Sequence, residues 1–335
     1  DSDPQLGAAA REKLIAAGLY GTRVTVHEGD PAGTIYPNYF ADLVVSARSL
    51  TDGSEAVGEA EMMRVLRPWG GVAVVGKRQA MRRVERGELP ATGTWTHQYC
   101  NAGATLTSTD QLVRRPLGML WFTDFKNVRM PDRHGRGPAP LVTGGRLFVL
   151  GTNGLYAISA YNGRLLWEHS IENVLKPYDQ EHITGAAVTG SAYCHGQGSV
   201  YVRHEDYALR IDEATGKARA RFTTPATAGA KPGTWGFIAT DDGVLFGSVA
   251  NDDHVTMWAW HSADMQDMPS ESSELFAMDA VTGKRLWTYK AAHSIRHNTI
   301  VIGGGRVYLI DRPVAQDDLL ARQTRRLDNP HRLLL

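Results

Sequence analysis

Short alternating runs of apolar and polar residues, separated by glycine turns, fill most of the chain from residue 95 onward. The alternation is typical of half-buried β-strands. One phrase returns three times, at residues 155–167, 208–220 and 275–287, and each copy reads as a strand, a tight Asn-Gly or Thr-Gly turn, and a second strand. Further alternating runs precede the copies, at 145–149, 199–203 and 243–246, and another follows at 305–310. The pattern therefore predicts a repeated antiparallel unit.

The spacing of the turn glycines sets the size of this unit. From Gly163 to Gly216 to Gly283 the intervals are 53 and 67 residues, which leaves room for a four-stranded propeller blade of about 40 to 50 residues with loops. We predict all-β propeller-type blades over residues 95–335, about three to four of a larger propeller. A two-sheet sandwich does not explain the repeated phrase.

The first 76 residues have a different pattern, in which helical and apolar strand segments alternate. Helices are expected over Leu6–Gly18 and from about Ser54 to Leu66, and strands over 22–27, 41–46 and up to Val75. This order predicts an α/β layer with a parallel sheet, a partial Rossmann-like domain over 1–76. Residues 77–94 carry Arg82, Arg83 and Arg86 among other charges, and we expect a solvated basic linker helix there.

The repeated phrase resembles the quinoprotein-like β-propellers, whose blades carry a LYALDA-x-TGK-x-LW phrase. The resemblance covers about residues 95–311, and Trp95–Tyr99 resembles the opening blade edge of large bacterial proteins of this type. The family includes pyrroloquinoline-quinone (PQQ) dehydrogenases as well as cofactor-free scaffolds that bind proteins. The dehydrogenases commonly carry adjacent cysteines beside the quinone, whereas this chain has only Cys100 and Cys194. The resemblance therefore implies a propeller in which PQQ and calcium are not expected.

The N-terminal half is similar to the class I S-adenosylmethionine-dependent methyltransferases. Met63–Gly71 is close to their RVLRPGG turn, Asp42–Ser46 to their fourth strand, and Gly29-Asp30 to the end of their third. The resemblance implies S-adenosylmethionine binding in the full protein, with Asp1 at the ribose, Asp30 at the adenine amino group, and Asp42 on the fourth strand. An ordinary turn aspartate remains the alternative for Asp30. No glycine-rich cofactor loop is present, so we expect an internal fragment of a longer bacterial composite protein.

Composition and charge limit the classes of partner that the chain is expected to bind. The 36 basic and 36 acidic side chains give no net charge, and therefore no global field to attract nucleic acid. The sequence has no apolar run long enough to span a membrane and no recognisable metal-binding motif. The resembling propellers are mostly exported, which favours the cell envelope or periplasm, although S-adenosylmethionine is used in the cytoplasm.

A candidate ligand pocket follows from aligning the repeats, because equivalent positions lie on one face of a repeat array. Polar and aromatic residues just ahead of the first strand of each blade are its predicted lining: Arg133, His134, Arg136, Asp179, His182, Trp235, Arg296 and His297. Arginine and histidine suit an anionic ligand, and a carbohydrate or a protein is the alternative partner. These side chains could equally brace loops by hydrogen bonding to backbone carbonyls.

The expected function is a composite protein in which a methyltransferase-like domain is joined to a non-catalytic propeller that binds a ligand or a protein. A pure propeller scaffold without enzymatic activity is one alternative. A PQQ-dependent quinoprotein dehydrogenase is the other.

Overall fold

The computed structural model describes residues 3–53, 57–123, 137–175, 189–190, 192–226, 230–251 and 269–313. The chain divides into two compact units. The first comprises residues 1–90, 116–122 and 161–163, and the second comprises residues 91–115, 123–160 and 164–335.

The first unit is a small mixed α/β layer. Its elements are α1 (Pro4–Ala16), β1 (Leu43–Val45), α2 (Ala47–Asp52), α3 (Glu59–Val65), β2 (Gly71–Val75) and β3 (Arg82–Arg86). The sheet order is β1-β2-β3, with β1 parallel and β3 antiparallel to β2. Asp3 caps α1, since its carboxylate accepts the Gln5 N–H at 2.9 Å, and the core beneath β2 contains Met62, Leu66 and Val75. The apolar alternation of β2 thus places one face of that strand in the core.

Two predictions for this unit are corrected. The basic stretch 77–94 was expected to be helical, but Arg82–Arg86 form strand β3. The backbone of β3 pairs with β2 along its whole length, and Val84 packs against the core of the unit while Arg82 and Arg83 stay exposed. The strand expected over 22–27 is reduced to one isolated bridge between Tyr20 and Val24. In the described residues the parallel sheet is therefore a single pair, β1 with β2, and a Rossmann-like domain is not shown.

The second unit is built of antiparallel sheets in sequence order. The first contains β4 (Leu141–Thr143), β5 (Arg146–Gly151), β6 (Gly154–Ser159) and β7 (Leu165–Ser170). The second contains β8 (Tyr193–Gly196), β9 (Ser199–His204), β10 (Tyr207–Asp212) and β11 (Ala218–Thr223). The third contains β12 (Trp235–Asp241), β13 (Val244–Ala250), β14 (Glu271–Asp279) and β15 (Arg285–Arg296). After a 3₁₀ turn, His297–Thr299, the pair β16 (Val301–Gly303) and β17 (Arg306–Tyr308) begins a further sheet. Sheets of propeller type are thus confirmed.

The repeated glycine turn is where one sheet packs on the next. Gly216 has φ 71°, and a Cβ there would lie 2.6 Å from the Trp167 ring, which belongs to the preceding sheet. Gly283 repeats this arrangement against Phe222, where a Cβ would approach to 2.4 Å. These turns require glycine for two reasons. The backbone is left-handed there, and an aromatic ring lies against the position that a Cβ would occupy. The Thr-Gly phrase therefore encodes the contact between neighbouring sheets.

Buried tyrosines link the sheets by hydrogen bonds. The hydroxyl of Tyr193, on β8, donates to the Phe148 carbonyl of β5 at 3.0 Å. The hydroxyl of Tyr201, on β9, donates to the Ala280 carbonyl after β14 at 2.8 Å. Both side chains are fully buried, so each link satisfies a polar group that would otherwise be costly to bury.

Residues 95–102, here called the bridging segment, hydrogen bond to the first strand of each of the four sheets that the structure describes in this unit. Trp95 pairs with Val142 of β4 through two 2.7 Å backbone hydrogen bonds. The Thr96 carbonyl accepts the His195 N–H of β8 at 2.9 Å, and the Ala102 carbonyl accepts the Ile302 N–H of β16 at 2.9 Å. In β12, the backbone N–H of Thr240 donates a hydrogen bond to the imidazole of His97. The bridging segment therefore satisfies amides along the first strands of four successive sheets.

Candidate functional site

A cavity lies between the bridging segment and β12. The space within it that water-sized molecules can occupy is about 40 Å³, and the cavity is partly open to solvent. Its walls come from residues just after Thr96, from the middle of β12, and from the turn that follows β15; the lining residues are His97, Gln98, Tyr99, Asn101, Ala102, Ala104, Gly190, Phe237, Ile238, Ala239, His297, Asn298 and Ile300. Two histidines from distant parts of the sequence thus meet at one pocket.

His97 joins the bridging segment to β12. Its Nε2 accepts the backbone N–H of Thr240 at 3.1 Å, so the neutral ring must carry its proton on Nδ1. That Nδ1–H donates to Thr96 Oγ1 at 2.9 Å, and the Thr96 hydroxyl donates to the Cys100 carbonyl at 3.3 Å. Both ring nitrogens of His97 are therefore engaged inside the protein.

His297 ends a buried chain of hydroxyl groups. Its Nδ1–H donates to the Thr189 carbonyl at 2.9 Å, so Nε2 is an acceptor and lies 2.6 Å from the Ser272 hydroxyl. Ser272 lies 2.7 Å from Ser248, and Ser248 accepts the Phe237 N–H at 2.7 Å. These hydrogen-bonded hydroxyl groups have room only because residue 236 is glycine. A Cβ on Gly236 would lie 2.5 Å from Ser272 Oγ.

Both cavity histidines are neutral at physiological pH. Burial lowers the pKa of His97 to about 4, with nearby His195 adding to the effect. Burial lowers the pKa of His297 to about 3, with Arg203 adding to it. In each neutral ring, the N–H group and the lone pair of the other nitrogen are both hydrogen bonded within the protein. Neither imidazole therefore offers a ligand a charge or a free ring nitrogen.

The polar groups open to a ligand come from amide and phenol side chains. Gln98 uses its carbonyl oxygen to accept the Ala139 N–H at 2.9 Å, which leaves its NH₂ group. Tyr99 is half-buried and Asn298 is exposed, and both line the cavity. Burial raises the pKa of Tyr99, so its hydroxyl stays protonated. Together these groups supply neutral donors and acceptors.

Among the residues predicted to line a ligand pocket, His297 lines this cavity. Trp235 is completely buried; its indole N–H donates to the Phe237 carbonyl at 2.8 Å, and its ring packs on Phe276. Arg296 pairs with buried Glu271, at 3.1 Å between Nε and Oε1, and is not part of the lining. Arg133, His134, Arg136, Asp179 and His182 lie outside the described residues.

The carboxylates predicted for the cofactor of the first unit occupy separate positions. Asp30 lies in an exposed loop, where its carboxylate accepts the Ala32 N–H at 2.8 Å. Asp42 precedes β1 and pairs with Arg67 at 2.5 Å, at the amino end of a strand whose carboxyl end is the usual ligand side. Asp1 lies outside the described residues.

His97, Gln98 and Tyr99 line the cavity but were not predicted as site residues from the sequence, although Trp95–Tyr99 was predicted to be a blade edge. The available signal was composition: three polar or amphipathic side chains in a row beside a tryptophan. Nothing in the sequence indicates that this segment meets β12, about 140 residues later, because the contact is made by tertiary packing.

A second polar cluster joins the first two sheets. The Nε2 of His195 lies 2.5 Å from Glu213, and Arg146 lies 3.9 Å from the same carboxylate. The hydrogen bond from His195 lowers the pKa of Glu213. The Glu213 carbonyl also accepts the Trp167 indole N–H at 3.0 Å, which fixes this cluster to the contact between the sheets.

The family profile described as "PQQ: Glucose/ethanol/alcohol dehydrogenase, beta-propeller domain" matches residues 116–302, more than half of the chain. The chain belongs to this family. In this quinoprotein-type propeller, the match covers the three four-stranded sheets and the cavity wall formed by β12 and His297. No curated protein sequence matches the chain significantly.

Solved structures similar to this quinoprotein-type propeller chain share little sequence with it. A europium-containing methanol dehydrogenase is 15% identical with a TM-score of 0.36, and the alignment covers 59% of this chain and 32% of that one. The quinohemoprotein alcohol dehydrogenase from Comamonas testosteroni is 15% identical, TM-score 0.38, covering 59% and 27%. BamB from Moraxella catarrhalis is 12% identical, TM-score 0.28, covering 57% and 49%. The chain thus spans about a third of the length of the two dehydrogenases.

The quinone implied by the family name does not fit this cavity. Pyrroloquinoline quinone carries several carboxylates, which call for cationic partners when buried, and the lining that the described residues form includes no lysine or arginine. Within the described ranges, no group of three or more His, Cys, Asp or Glu side chains is placed to hold a metal ion. None of the helices in those ranges is long and apolar enough to cross a lipid bilayer.

Proposed function

We propose that this quinoprotein-type propeller is a non-catalytic binding scaffold whose ligand site is the cavity between the bridging segment and β12. The observation that carries the proposal is the engagement of both cavity histidines on both ring nitrogens. A general acid or base needs a nitrogen within reach of the reacting proton, and these rings hold protein segments together instead. The polar groups left for a ligand are neutral and suited to binding.

The experiment is a paired assay on the purified chain. Dye reduction is measured with glucose, ethanol and methanol, with and without added pyrroloquinoline quinone and calcium, and small-molecule binding is measured by thermal shift. A scaffold gives ligand-dependent shifts and no quinone-dependent dye reduction. Turnover that requires both quinone and calcium would overturn the proposal.

The second candidate is a quinone-dependent dehydrogenase, and the family match favours it. It would require a quinone site other than the cavity described above. The dye-reduction arm of the same experiment decides between the two candidates.

For the first unit we propose a methyltransferase-like role in a composite protein, with S-adenosylmethionine as the ligand. Support comes from the parallel pair β1 and β2, joined through α2 and α3, and from the exposed carboxylate of Asp30. Calorimetric titration with S-adenosylmethionine tests this role. Binding that is lost in Asp30→Asn and Asp1→Asn, but kept in Asp242→Asn in the second unit, is the expected result. If no heat of binding is measured, the methyltransferase-like role is rejected and the propeller scaffold is the proposed function that remains.

A further inference from the structure

The cavity lining is electrically neutral. Among the residues that the structure describes, the lining includes no Lys, Arg, Asp or Glu, and its two histidines are uncharged and fully hydrogen bonded within the protein. A charged ligand entering this part of the described chain would lose hydration without gaining an opposite charge, which is costly. The lining therefore selects against both the anion expected from the sequence and a cation.

The hydrogen-bonding groups that line the cavity are complementary to a carboxamide. Gln98 presents N–H donors, because its own carbonyl oxygen already holds the Ala139 N–H. Asn298 presents a carbonyl oxygen as well as an NH₂ group. A ligand carboxamide can accept from Gln98 through its oxygen and donate to Asn298 through its nitrogen. A carboxylate cannot donate to the Asn298 carbonyl oxygen, and an alcohol must use the same oxygen atom for both contacts, whereas a carboxamide has separate acceptor and donor atoms.

The rest of the lining is apolar. Phe237, Ile238 and Ile300 line the cavity with the methyl groups of Ala102 and Ala239, and all but Ala102 are buried. An alkyl group placed against these side chains is itself removed from water, which is favourable. The cavity thus offers an apolar wall beside a neutral polar one.

We propose that the cavity binds a small uncharged carboxamide, with its alkyl part against Phe237 and Ile300 and its amide group held by Gln98 and Asn298. This assignment rests on the proposed binding function and specifies its ligand class.

The test compares ligands of equal size. Propionamide, propionate and glycerol are titrated into the purified chain, and binding is followed by saturation-transfer difference NMR. Propionamide is expected to bind at least about tenfold more tightly than propionate, the difference that corresponds to about 1.4 kcal/mol. Propionate binding as tightly as propionamide, or no propionamide signal, would overturn the carboxamide assignment.

Variants locate the site. Gln98→Glu keeps an oxygen for the Ala139 N–H but replaces the donor NH₂ with a carboxylate oxygen, and it should weaken propionamide binding about tenfold or more. Gln111→Glu makes the same change at an exposed position and should bind like the parent chain.

Ala102→Leu fills the cavity and should abolish binding, which keeps the test valid if Gln98→Glu does not fold. Unchanged propionamide binding in a folded Gln98→Glu or Ala102→Leu chain would overturn the proposal.

The outcomes separate this inference from the proposed function. Glycerol binding without propionamide binding rejects the carboxamide while the scaffold function stands. Quinone-dependent oxidation of an alcohol, in the dye-reduction assay described above, rejects the scaffold function itself.

Discussion

His297 shows how one residue suggested by the sequence acquires a different role in the folded chain. The repeat alignment points to it as a contact for an anionic ligand. Its ring instead holds Ser272 and the Thr189 carbonyl at 2.6 and 2.9 Å, so it fixes the wall of the cavity. The alternative stated with that alignment, a side chain that braces a loop through a backbone carbonyl, describes these contacts.

The depressed pKa values of His97 and His297 predict a pH-dependent stability. Both groups titrate near 6.5 in the unfolded chain and near 4 and 3 when folded, so below pH 6.5 the unfolded state binds protons that the folded state does not. Their contribution is complete above pH 6.5 and is lost as the pH falls towards 4. Between pH 6 and 5 each group should lower the free energy of unfolding by about 1.4 kcal/mol per pH unit.

Urea unfolding at several pH values between 5 and 7 measures this slope. His297→Ala should reduce it by about one proton, whatever its effect on absolute stability. Asn298→Ala, at the exposed position beside His297, removes no titratable group and should leave the slope as in the parent chain. Equal slopes in the parent and His297→Ala chains would show that His297 is not held neutral by the fold.

At the scale of the elements, the glycine of each repeated turn is predicted to be a packing residue. Gly216→Ala adds a methyl group 2.6 Å from the Trp167 ring at φ 71°, whereas Gly198→Ala adds one in open space at φ 62°. The control therefore reports the backbone cost alone, about 1–2 kcal/mol. Gly216→Ala should cost a further 1–3 kcal/mol or so through overpacking, measured by urea unfolding. Equal losses would mean that the aromatic contact adds nothing.

The bridging segment is predicted to protect one amide in each first strand from hydrogen exchange. Those amides belong to Val142, His195, Thr240 and Ile302. His97→Ala removes the acceptor of the Thr240 N–H and should speed exchange there, while the other three amides, whose acceptors are backbone carbonyls, remain protected. Exchange by mass spectrometry or NMR measures this, and uniform loss at all four sites would point to global destabilisation instead.

At the scale of the whole molecule, the second unit is a row of sheets in which each aromatic–glycine contact joins one pair. Stability in such an array is expected to be a sum of repeat and interface contributions. Gly216→Ala and Gly283→Ala disturb different contacts, with Trp167 and Phe222. Their effects on the free energy of unfolding should therefore add to within about 0.5 kcal/mol in the double variant. A coupling above about 1 kcal/mol would show that the two contacts form one cooperative unit.

The two units were predicted from the sequence with different success. The repeated phrase and the alternating runs beside it identified the four-stranded sheets, because alternation and tight turns are local properties of a β-hairpin. In the first unit, the charge-rich stretch 77–94 was interpreted as a helix. Arg82–Arg86 of that stretch form β3 because β2 offers an edge for pairing. A local sequence pattern does not show which strand will be available as a partner.

Local alternation and the backbone conformations that glycine favours were enough to predict the repeated strands of the second unit and the glycine in each repeated turn. The site was not predictable in this way, because it forms through tertiary packing. His97 and His297 are 200 residues apart, and both line the cavity because the bridging segment and the turn after β15 pack beside β12. Their neutrality depends on burial and on hydrogen-bond partners from other elements, which are properties of packing and not of sequence pattern.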